Sequence, residues 1–381
     1  RVLSQRPNFV VLYRRKLYRM QTRMKITKAI YWTEKLALTQ PYTIAYERIE
    51  SVQNLFVRLQ AEDGSVGLGV ASPAEGVTGE GVRQCRQALA DTLEGLLPGT
   101  DFRHLKTRLR EVERAIPHAP AARAAIDMAL HDLWATHLGL PLVDLLGRVH
   151  RSLPTSITIG IDSVEKSIEE AAEYTGRGFR ILKVKIGRSM EEDVERLHRI
   201  RQKIGRETNI RVDVNQGYSK DKFESFLKQT ASLDLEFIEQ PLDARDLDGM
   251  RRLPETVRAK VAADESLLDA RDALTCLEPP RPFGIYNIKL MKCGGIEPAM
   301  QIAGIAHLAG IDLMWGCMDE SIVGIAAALH AALASPATRY LDLDGHLDLA
   351  RDPIKGGFVL KDGELSLTDN PGLGVKLLAD N

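Results

Sequence analysis

The chain has 381 residues, of which 44% are hydrophobic and 27% are charged. These values are typical of soluble globular proteins and allow one large domain or two of ordinary size. A formal net charge of −1 gives no overall field that would attract nucleic acid or an anionic membrane, and no stretch approaches the roughly 20 apolar residues of a membrane-spanning helix.

The beginning of the chain differs from the rest in charge. Nine Lys or Arg residues precede Glu34, which is the first acidic residue. The longest apolar run in this region, Phe9–Tyr13, is too short for the core of a signal peptide. We therefore expect residues 1–23 to form a basic, poorly ordered leader and the fold to begin near Met24.

The cysteines bear on the cellular compartment. They are scattered and show no CxxC spacing, which argues against a zinc site or a redox pair. We expect reduced thiols and a cytoplasmic location. The four residues are Cys85, Cys276, Cys293 and Cys317.

Residues 24–150 combine predicted strands with predicted helices. Strand patterns cover Lys25–Leu38, Ser51–Leu59 and Ser65–Val70, with a turn at residues 62–64. From Thr78 to Leu146 apolar residues recur at helical spacing instead. This pattern predicts an α+β capping domain over residues 24–150.

Short strand patterns alternate with amphipathic helices, such as Met190–Ile204, Ile296–Ala309 and Ile322–Leu333, through residues 151–344. Near-constant spacing favours a parallel β/α barrel, because each parallel connection needs a crossover helix. An open doubly wound sheet is the alternative, but it would need a glycine-rich phosphate turn after the first strand, and Ile161-Asp162-Ser163 is not one. The predicted strands are residues 156–160, 181–186, 210–215, 236–239, 261–264, 284–289, 311–315 and 340–342.

The strand–helix alternation stops after Asp344. Residues 345–381 contain two further strand patterns joined by the turn Lys361-Asp362-Gly363. We expect this segment to return to the capping domain and complete it. The predicted fold is therefore α/β, a modified TIM barrel of the (β/α)7β type with an N-terminal α+β cap.

Polar side chains end most of the predicted barrel strands, where the active sites of barrel enzymes lie. Each follows a strongly apolar run, so a charge at that place is costly unless it is used. From strand two to strand six they recur every 25 to 28 residues, which indicates equivalent depth in successive units. The set is Lys183, Lys185, Asp213, Asn215, Glu239, Asp264, Asn287, Lys289, Asp342 and Asp344.

Asp213, Glu239 and Asp264 end three neighbouring strands and should converge. Three carboxylates this close repel one another unless a cation lies among them. Oxygen ligands suit a hard divalent ion, Mg²⁺ or Mn²⁺. Glu265 is a second candidate ligand, although strand alternation predicts that it faces away.

Lys185 and Lys289 end strands two and six, which are opposite in a barrel of eight. Each can serve as a general base on one face of a bound substrate, and a returned proton gives racemisation or epimerisation. Lys183 shares a strand face with Lys185, and its charge should lower the pKa of that amine. Taken singly, these residues have ordinary structural interpretations as caps, turns or solvated edges. A non-catalytic barrel that binds a partner is thus an alternative.

The motifs resemble those of the enolase superfamily, in its muconate-lactonizing subgroup. The resemblance runs from about Met24 to the C-terminus and implies this fold, Mg²⁺ and the lysine bases, as that superfamily is generally described. Its motifs are Ala125-Ile126-Asp127-Met128-Ala129-Leu130-His131-Asp132-Leu133, Gly139-Leu140-Pro141-Leu142, Lys183-Val184-Lys185, Asp213-Val214-Asn215, Glu239-Gln240-Pro241, Ala263-Asp264-Glu265-Ser266, Asn287-Ile288-Lys289 and Gly294-Gly295.

Within that subgroup, residues 316–321 and Asp342-Leu343-Asp344 resemble the dipeptide epimerases. The resemblance implies that Asp342 and Asp344 bind the α-ammonium of a dipeptide, and that the C-terminal residue is epimerised. It further implies that Thr158, Asn215, Cys317, Met318 and Asp319 line the substrate site. N-acylamino acid racemase, o-succinylbenzoate synthase and muconate cycloisomerase are alternatives that need no ammonium site.

Side-chain specificity in this family depends partly on a cap loop, here about residues 38–51. The L-Ala-D/L-Glu epimerases carry an arginine there, whereas this chain has Glu47 followed by Arg48. Glu47 and Asp319 favour dipeptides with a Lys or Arg side chain. A loop shift of one residue would favour Ala-Glu, a dipeptide of murein metabolism, instead. We also expect a homo-oligomer.

Overall fold

The capping region begins with a three-stranded antiparallel sheet. The computed structural model describes residues 24–43 and 48–378, with the backbone alone at 41–43 and 48–49. The strands Ile26–Thr43, Arg48–Ala61 and Val66–Ala71 pair in chain order. The first two are longer than predicted, because their pairing continues past a register shift between Ala37 and Tyr42.

Helices cover one side of this sheet. The longest, Pro120–Leu138, is called the cap helix below. Gly67 and Gly69 leave no room for a Cβ beside the backbone of the cap helix, so glycine lets the sheet and helix approach closely. The helices of this region are Glu75–Thr78, Val82–Gly95, Leu105–Ala115, Pro120–Leu138 and Leu142–Leu146.

The second layer is an eight-stranded parallel sheet whose strands are hydrogen-bonded in chain order. A bridge between Thr155 and Leu341 joins the segment before the first strand to the eighth, so the sheet is nearly closed. The predicted barrel is confirmed, and the open doubly wound sheet is wrong. The strands are Ile157–Ile159, Ile181–Lys185, Asn209–Asp213, Ile238–Glu239, Val261–Ala263, Ile285–Ile288, Asp312–Gly316 and Thr338–Asp342.

Helices connect the barrel strands. Three predicted helices, Met190–Ile204, Ile296–Ala309 and Ile322–Leu333, have the bounds that their apolar periodicity indicates. The eighth strand is followed by a short 3-10 helix, Gly345–Asp348, and not by an α-helix, which agrees with the predicted (β/α)7β type. The other helices are Val164–Gly176, Lys220–Thr230, Leu247–Arg251, Glu255–Arg258, Ala270–Thr275 and Leu290–Cys293, with a 3-10 helix at Ala231–Leu233.

The C-terminal segment contacts both layers. Strand Ile354–Gly356 pairs with Val375–Leu377, while Phe358–Lys361 pairs with Glu364–Leu367, which in turn pairs with Ser152–Pro154. Farther along, the Asp132 carboxylate of the cap helix accepts hydrogen bonds from Leu373 N and from Leu68 N, both at 2.7 Å. Asp132 therefore links the end of the chain to the cap sheet.

The predictions for the N-terminal leader and for the cap loop fall wholly or partly outside the described residues. Residues 1–23 and Glu47 are outside the described residues, and Arg48 begins the second strand without a described side chain.

The four cysteines are unpaired. Among the described helices, none has the length and apolar character needed to cross a membrane.

Candidate active site

The charged residues predicted at the strand ends meet at one mouth of the barrel. Lys185, Asp213 and Glu239 are register partners on the second, third and fourth strands. Asp264 follows the fifth strand directly and Lys289 follows the sixth. The carboxylates of all three acids are almost completely buried, which a charge tolerates only with a compensating partner.

Lys183 supplies part of that compensation. Its Nζ lies 3.2 Å from Asp213 Oδ2, 2.9 Å from Glu239 Oε2 and 2.8 Å from Asp342 Oδ2. Burial lowers the pKa of Lys183, but the charges of Asp342, Glu239 and Asp213 outweigh it and raise that pKa well above its ordinary value. Lys183 is thus a buried ammonium shared by three carboxylates.

Asp264 is held by two lysines. Lys289 Nζ lies 2.8 Å from Asp264 Oδ2, and Lys292 Nζ contacts Asp264 Oδ1 and its main-chain oxygen. Burial raises the pKa of Asp264, but the two ammonium groups lower it well below its usual range. Lys292 was not predicted. It follows Lys289 by three residues across the helical turn Leu290–Cys293, a spacing that puts both lysines on one side.

The carboxylates form an oxygen-rich donor set. Asp213 Oδ2 and Glu239 Oε2 are buried and have no hydrogen-bond partner of acceptable geometry, although Lys183 lies close to both. Burial, followed by the Asp213 charge, raises the pKa of Glu239 to about 8. Within the described residues no three acidic, thiol or imidazole side chains form a group that could hold a metal ion as they stand. Lysine ammoniums lie among the carboxylates. The donors themselves fit a hard divalent cation.

The prediction that Glu265 faces away from this set is wrong. Its Oε1 accepts a hydrogen bond from Asn215 Nδ2 at 3.3 Å. Burial raises the pKa of Glu265, and the charges of Asp264 and Asp213 raise it further. Strand alternation fails here because the fifth strand ends at Ala263, two residues earlier.

Lys185 is the more accessible of the two opposed lysines. Its side chain is 39% exposed, against 9% for Lys289. Lys185 Nζ donates to Asn215 Oδ1 at 3.2 Å and lies 3.6 Å from Asp213 Oδ2. Asn215 has a left-handed backbone, with φ of 45°, and its N–H donates to Asp213 Oδ1. Asn215 therefore joins Lys185 to the carboxylate set.

The two aspartates after the eighth strand have different surroundings. Asp342 is bound on both oxygens, by Ser156 Oγ at 2.6 Å and by Lys183 Nζ at 2.8 Å. Asp344 Oδ2 accepts from Thr158 N at 2.7 Å, while Oδ1 lies 3.9 Å from Cys317 Sγ. Burial and the Asp342 charge raise the pKa of Asp344 to about 6.

Two family models match the chain: "Mandelate racemase / muconate lactonizing enzyme, N-terminal domain" over residues 26–147, and "Enolase C-terminal domain-like" over residues 166–381. An L-Lys-D/L-Arg epimerase of Desulforapulum autotrophicum is 57% identical, over 93% of this chain and 99% of the relative. The chain belongs to the dipeptide epimerases of the enolase superfamily. The family predicted from the motifs is confirmed.

Solved dipeptide epimerases share the fold closely. The structure from Methylococcus capsulatus, described as complexed with Mg and the dipeptide L-Arg-D-Lys, has a TM-score of 0.90 and 54% identity. The match covers 92% of this chain and 99% of that one. A more distant relative, the L-Ala-D/L-Glu epimerase of Clostridium acetobutylicum, is 34% identical over 89% of this chain and 95% of its own length.

In this dipeptide epimerase the loop after the seventh strand rests on the cap. Asp319 O accepts hydrogen bonds from Ser72 Oγ at 3.0 Å and from Asn54 Nδ2 at 3.4 Å. Met318 N donates to the buried Glu320, whose pKa burial raises to about 8. Cap residues therefore fix the height of this loop over the barrel mouth.

Asp348 adds a further acid that sequence reasoning missed. Burial, followed by the neighbouring charges of Asp344 and Asp319, raises its pKa to about 8. Thr39 Oγ1 of the first cap strand donates to Asp348 O at 3.3 Å. The spacing of Asp342, Asp344 and Asp348 is visible in the sequence, but only the 3-10 helix after Asp344 brings Asp348 back toward the mouth.

Proposed function

We propose that this chain is a Mg²⁺-dependent epimerase of dipeptides that carry a Lys or Arg side chain, acting at the α-carbon of the C-terminal residue. The observation that carries the proposal is the pair Lys185 and Lys289, which end opposite barrel strands on either side of buried carboxylates. Similarity to an L-Lys-D/L-Arg epimerase supports the substrate class.

Asp213, Glu239 and Asp264 are the proposed ligands of the cation, with Mn²⁺ as a second candidate ion. Their oxygen atoms suit both ions, and the orphaned Asp213 Oδ2 and Glu239 Oε2 have unused acceptor capacity. When bound, the cation supplies positive charge that makes the α-hydrogen of a carboxylate substrate removable. Binding requires the contacts of Lys183 and Lys289 with these oxygens to lengthen.

Proton transfer is proposed to use one lysine on each face of the substrate. One lysine, as a neutral amine, takes the α-proton and becomes an ammonium while the C–H electrons pass to the substrate. The other, as an ammonium, gives its proton to the opposite face of the same carbon and inverts it. In the described structure the Asp264 charge opposes burial and raises the pKa of Lys289 well above its ordinary value, so Lys289 is an ammonium there.

Asp344 and Asp342 are proposed to orient the dipeptide through its α-ammonium. Asp344 is the better placed acceptor, because both oxygens of Asp342 already have partners. Thr158 N binds one oxygen of Asp344, and the other oxygen has a long contact of 3.9 Å with Cys317 Sγ. Asn215, Cys317 and Met318 are also proposed to line the substrate site. The proposed role of Lys183 is to neutralise the buried carboxylates, and it does not contact the substrate.

Specificity for a cationic side chain is proposed to come from acids around the mouth. Asp348 lies close to the charges of Asp344 and Asp319, and Glu47 belongs to the cap loop expected to cover them. A cation placed among like charges relieves their repulsion. The second candidate is an L-Ala-D/L-Glu epimerase, favoured by Arg48 and by a 34% identical relative of that name. A cytoplasmic homo-oligomer stays a prediction.

Steady-state kinetics separate these two candidates. The metal-loaded enzyme is assayed with L-Arg-L-Lys and with L-Ala-L-Glu, and the epimers are resolved by chiral chromatography. The proposal expects a higher kcat/KM for L-Arg-L-Lys. A preference for L-Ala-L-Glu would favour the second candidate, and no turnover of any dipeptide would contradict both.

A further inference from the structure

A buried ionic network joins the ends of the first three barrel strands. Asp193 and Arg196 lie one turn apart on the helix Met190–Ile204, and each side chain is 3% exposed. The guanidinium of Arg196 donates to the main-chain oxygens of Lys185, Gly160 and Asp162. One helix residue thus binds the strand that carries Lys185 to the loop after the neighbouring strand.

Asp193 extends the network to the third strand. Its Oδ1 lies 3.4 Å from Arg196 Nη2, and its Oδ2 accepts from Gly187 N at 2.8 Å and from Tyr218 Oη at 2.9 Å. Gly187 has a φ of 121° and no room for a Cβ beside Val214 O. The short segment that follows Lys185 is therefore fixed at Lys185 O by Arg196 and at Gly187 N by Asp193.

We infer that Arg196 is a positioning residue for Lys185, acting through the main-chain oxygen of that lysine. The inference rests on the proposed function, in which Lys185 serves one face of the substrate. Lys185 Nζ is partly exposed, with Asn215 Oδ1 and Asp213 Oδ2 within 3.6 Å, so its position depends strongly on where its backbone is fixed. Lys289 stands across the barrel and has no contact with this network among those described.

The chemical choice of arginine supports this role. A planar guanidinium can reach several carbonyl oxygens in fixed directions, whereas a lysine ammonium cannot reproduce that fork. A misplacement of about 1 Å at a reacting group can cost about 100-fold in rate. Loss of the fork should therefore impair the proton transfers of Lys185 more than those of Lys289.

A matched control lies on the same helix. Arg201 also donates to main-chain oxygens, namely Leu233 O at 3.0 Å, Gly205 O at 2.8 Å and Thr208 O at 2.6 Å. These contacts are at the C-terminal end of the helix, away from the mouth that holds Lys185. Arg196→Lys and Arg201→Lys thus remove similar contacts at two different places along one helix.

The test measures α-hydrogen exchange in D₂O for each epimer of L-Arg-L-Lys separately, with Mg²⁺ present. Lys185→Ala identifies the epimer whose exchange depends on Lys185. Arg196→Lys should slow exchange of that epimer about 10- to 100-fold more than exchange of the other. Arg201→Lys should leave the ratio of the two rates unchanged. Equal slowing of both epimers by Arg196→Lys overturns the inference, whereas no exchange by the unsubstituted enzyme overturns the proposed function and the inference with it.

A second readout needs neither metal nor substrate. Amide hydrogen exchange of the segment around Ile186 and Gly187, followed by mass spectrometry, should accelerate in Arg196→Lys and in the milder Tyr218→Phe, but not in Arg201→Lys. Tyr218→Phe removes the hydroxyl contact with Asp193 and keeps the test valid if Arg196 variants do not fold. Unchanged protection in both variants overturns the inference.

Discussion

Lys289 Nζ lies 2.8 Å from Asp264 Oδ2, so a proposed base and a proposed metal ligand form a buried ion pair. The contact holds Lys289 as an ammonium and Asp264 as a carboxylate in the described structure. A cation that binds Asp264 Oδ2 competes with Lys289 for that oxygen. Metal binding and the protonation state of Lys289 are therefore coupled.

Asp264→Asn should weaken Mg²⁺ binding, because an amide replaces one carboxylate of the oxygen donor set. Isothermal titration with Mg²⁺ measures the affinity directly, without substrate. Glu265→Gln is the matched control, since Glu265 is adjacent and also borders Asn215. A larger loss of affinity in Glu265→Gln than in Asp264→Asn would mean that the wrong carboxylate has been assigned.

Lys185→Ala and Lys289→Ala should each abolish net epimerisation. Removal of one general base typically lowers the rate about 10²- to 10⁴-fold. Each variant should still exchange the α-proton of one epimer with D₂O, a different epimer in the two cases, because the lysines act on opposite faces. Rates close to those of the unsubstituted enzyme in both variants would require another base.

Asp344→Asn should lower kcat/KM for dipeptides by about 1.5–3 kcal/mol of transition-state free energy, the usual size of a hydrogen bond to a charged group. The amide oxygen of the new Asn side chain can still accept the hydrogen bond from Thr158 N. The lower kcat/KM should therefore reflect weaker binding of the substrate ammonium and not a disturbed fold. An N-acetylated dipeptide, which has no ammonium, is the control substrate. Equal turnover of acetylated and free dipeptides by the unsubstituted enzyme would rule out this role for Asp344.

Glu47→Arg should selectively weaken cationic dipeptides, since a positive charge would replace a negative one in the cap loop. The expected change in relative kcat/KM corresponds to about 1–3 kcal/mol if a charge-assisted hydrogen bond is lost. The ratio of kcat/KM for L-Arg-L-Lys and L-Ala-L-Glu measures it. Arg48→Ala is the neighbouring control. A larger effect of Arg48→Ala on this ratio would mean that Arg48, and not Glu47, faces the substrate.

Asp132→Asn should lower the free energy of unfolding by about 1–3 kcal/mol, because an amide cannot accept from both Leu68 N and Leu373 N. Urea titration measures the change, and limited proteolysis should find the C-terminal segment more easily cleaved. Asp144→Asn is the control, since its exposed ion pair with Arg148 should contribute less than about 1 kcal/mol. Equal losses in the two variants would contradict the anchoring role.

The stability contributed by Asp132 should depend on pH. Burial raises its pKa to about 7 from an ordinary 3.8, although hydrogen bonds from Leu373 and Leu68 lower it. The folded state therefore holds this proton more tightly, and its contribution to the free energy of unfolding falls as pH rises from about 4 to about 7. The difference in unfolding free energy between the unsubstituted protein and Asp132→Asn should shrink over that range. A difference that grows with pH would contradict the raised pKa.

Most of the barrel could be predicted because its strands are apolar runs that end in charges at even spacing. The same rule misplaced Glu265, since alternation was extended past the end of a strand at Ala263. Lys292 and Asp348 were missed because short helical turns, rather than strands, carry them to the mouth. Asp342 was predicted to bind the ammonium of a substrate, but Lys183 already contacts one of its oxygens. This contact could not be predicted, because the two residues are far apart in the sequence and no local pattern relates them.

Incubation of the enzyme with Mg²⁺ and L-Arg-L-Lys in D₂O tests the central proposal most directly. Mass spectrometry and chiral analysis of the product report both exchange and configuration. The proposal predicts L-Arg-D-Lys with one deuterium at the α-carbon of the C-terminal residue, and none at the N-terminal α-carbon. Recovery of unlabelled L-Arg-L-Lys, or deuterium at the N-terminal α-carbon, would contradict it.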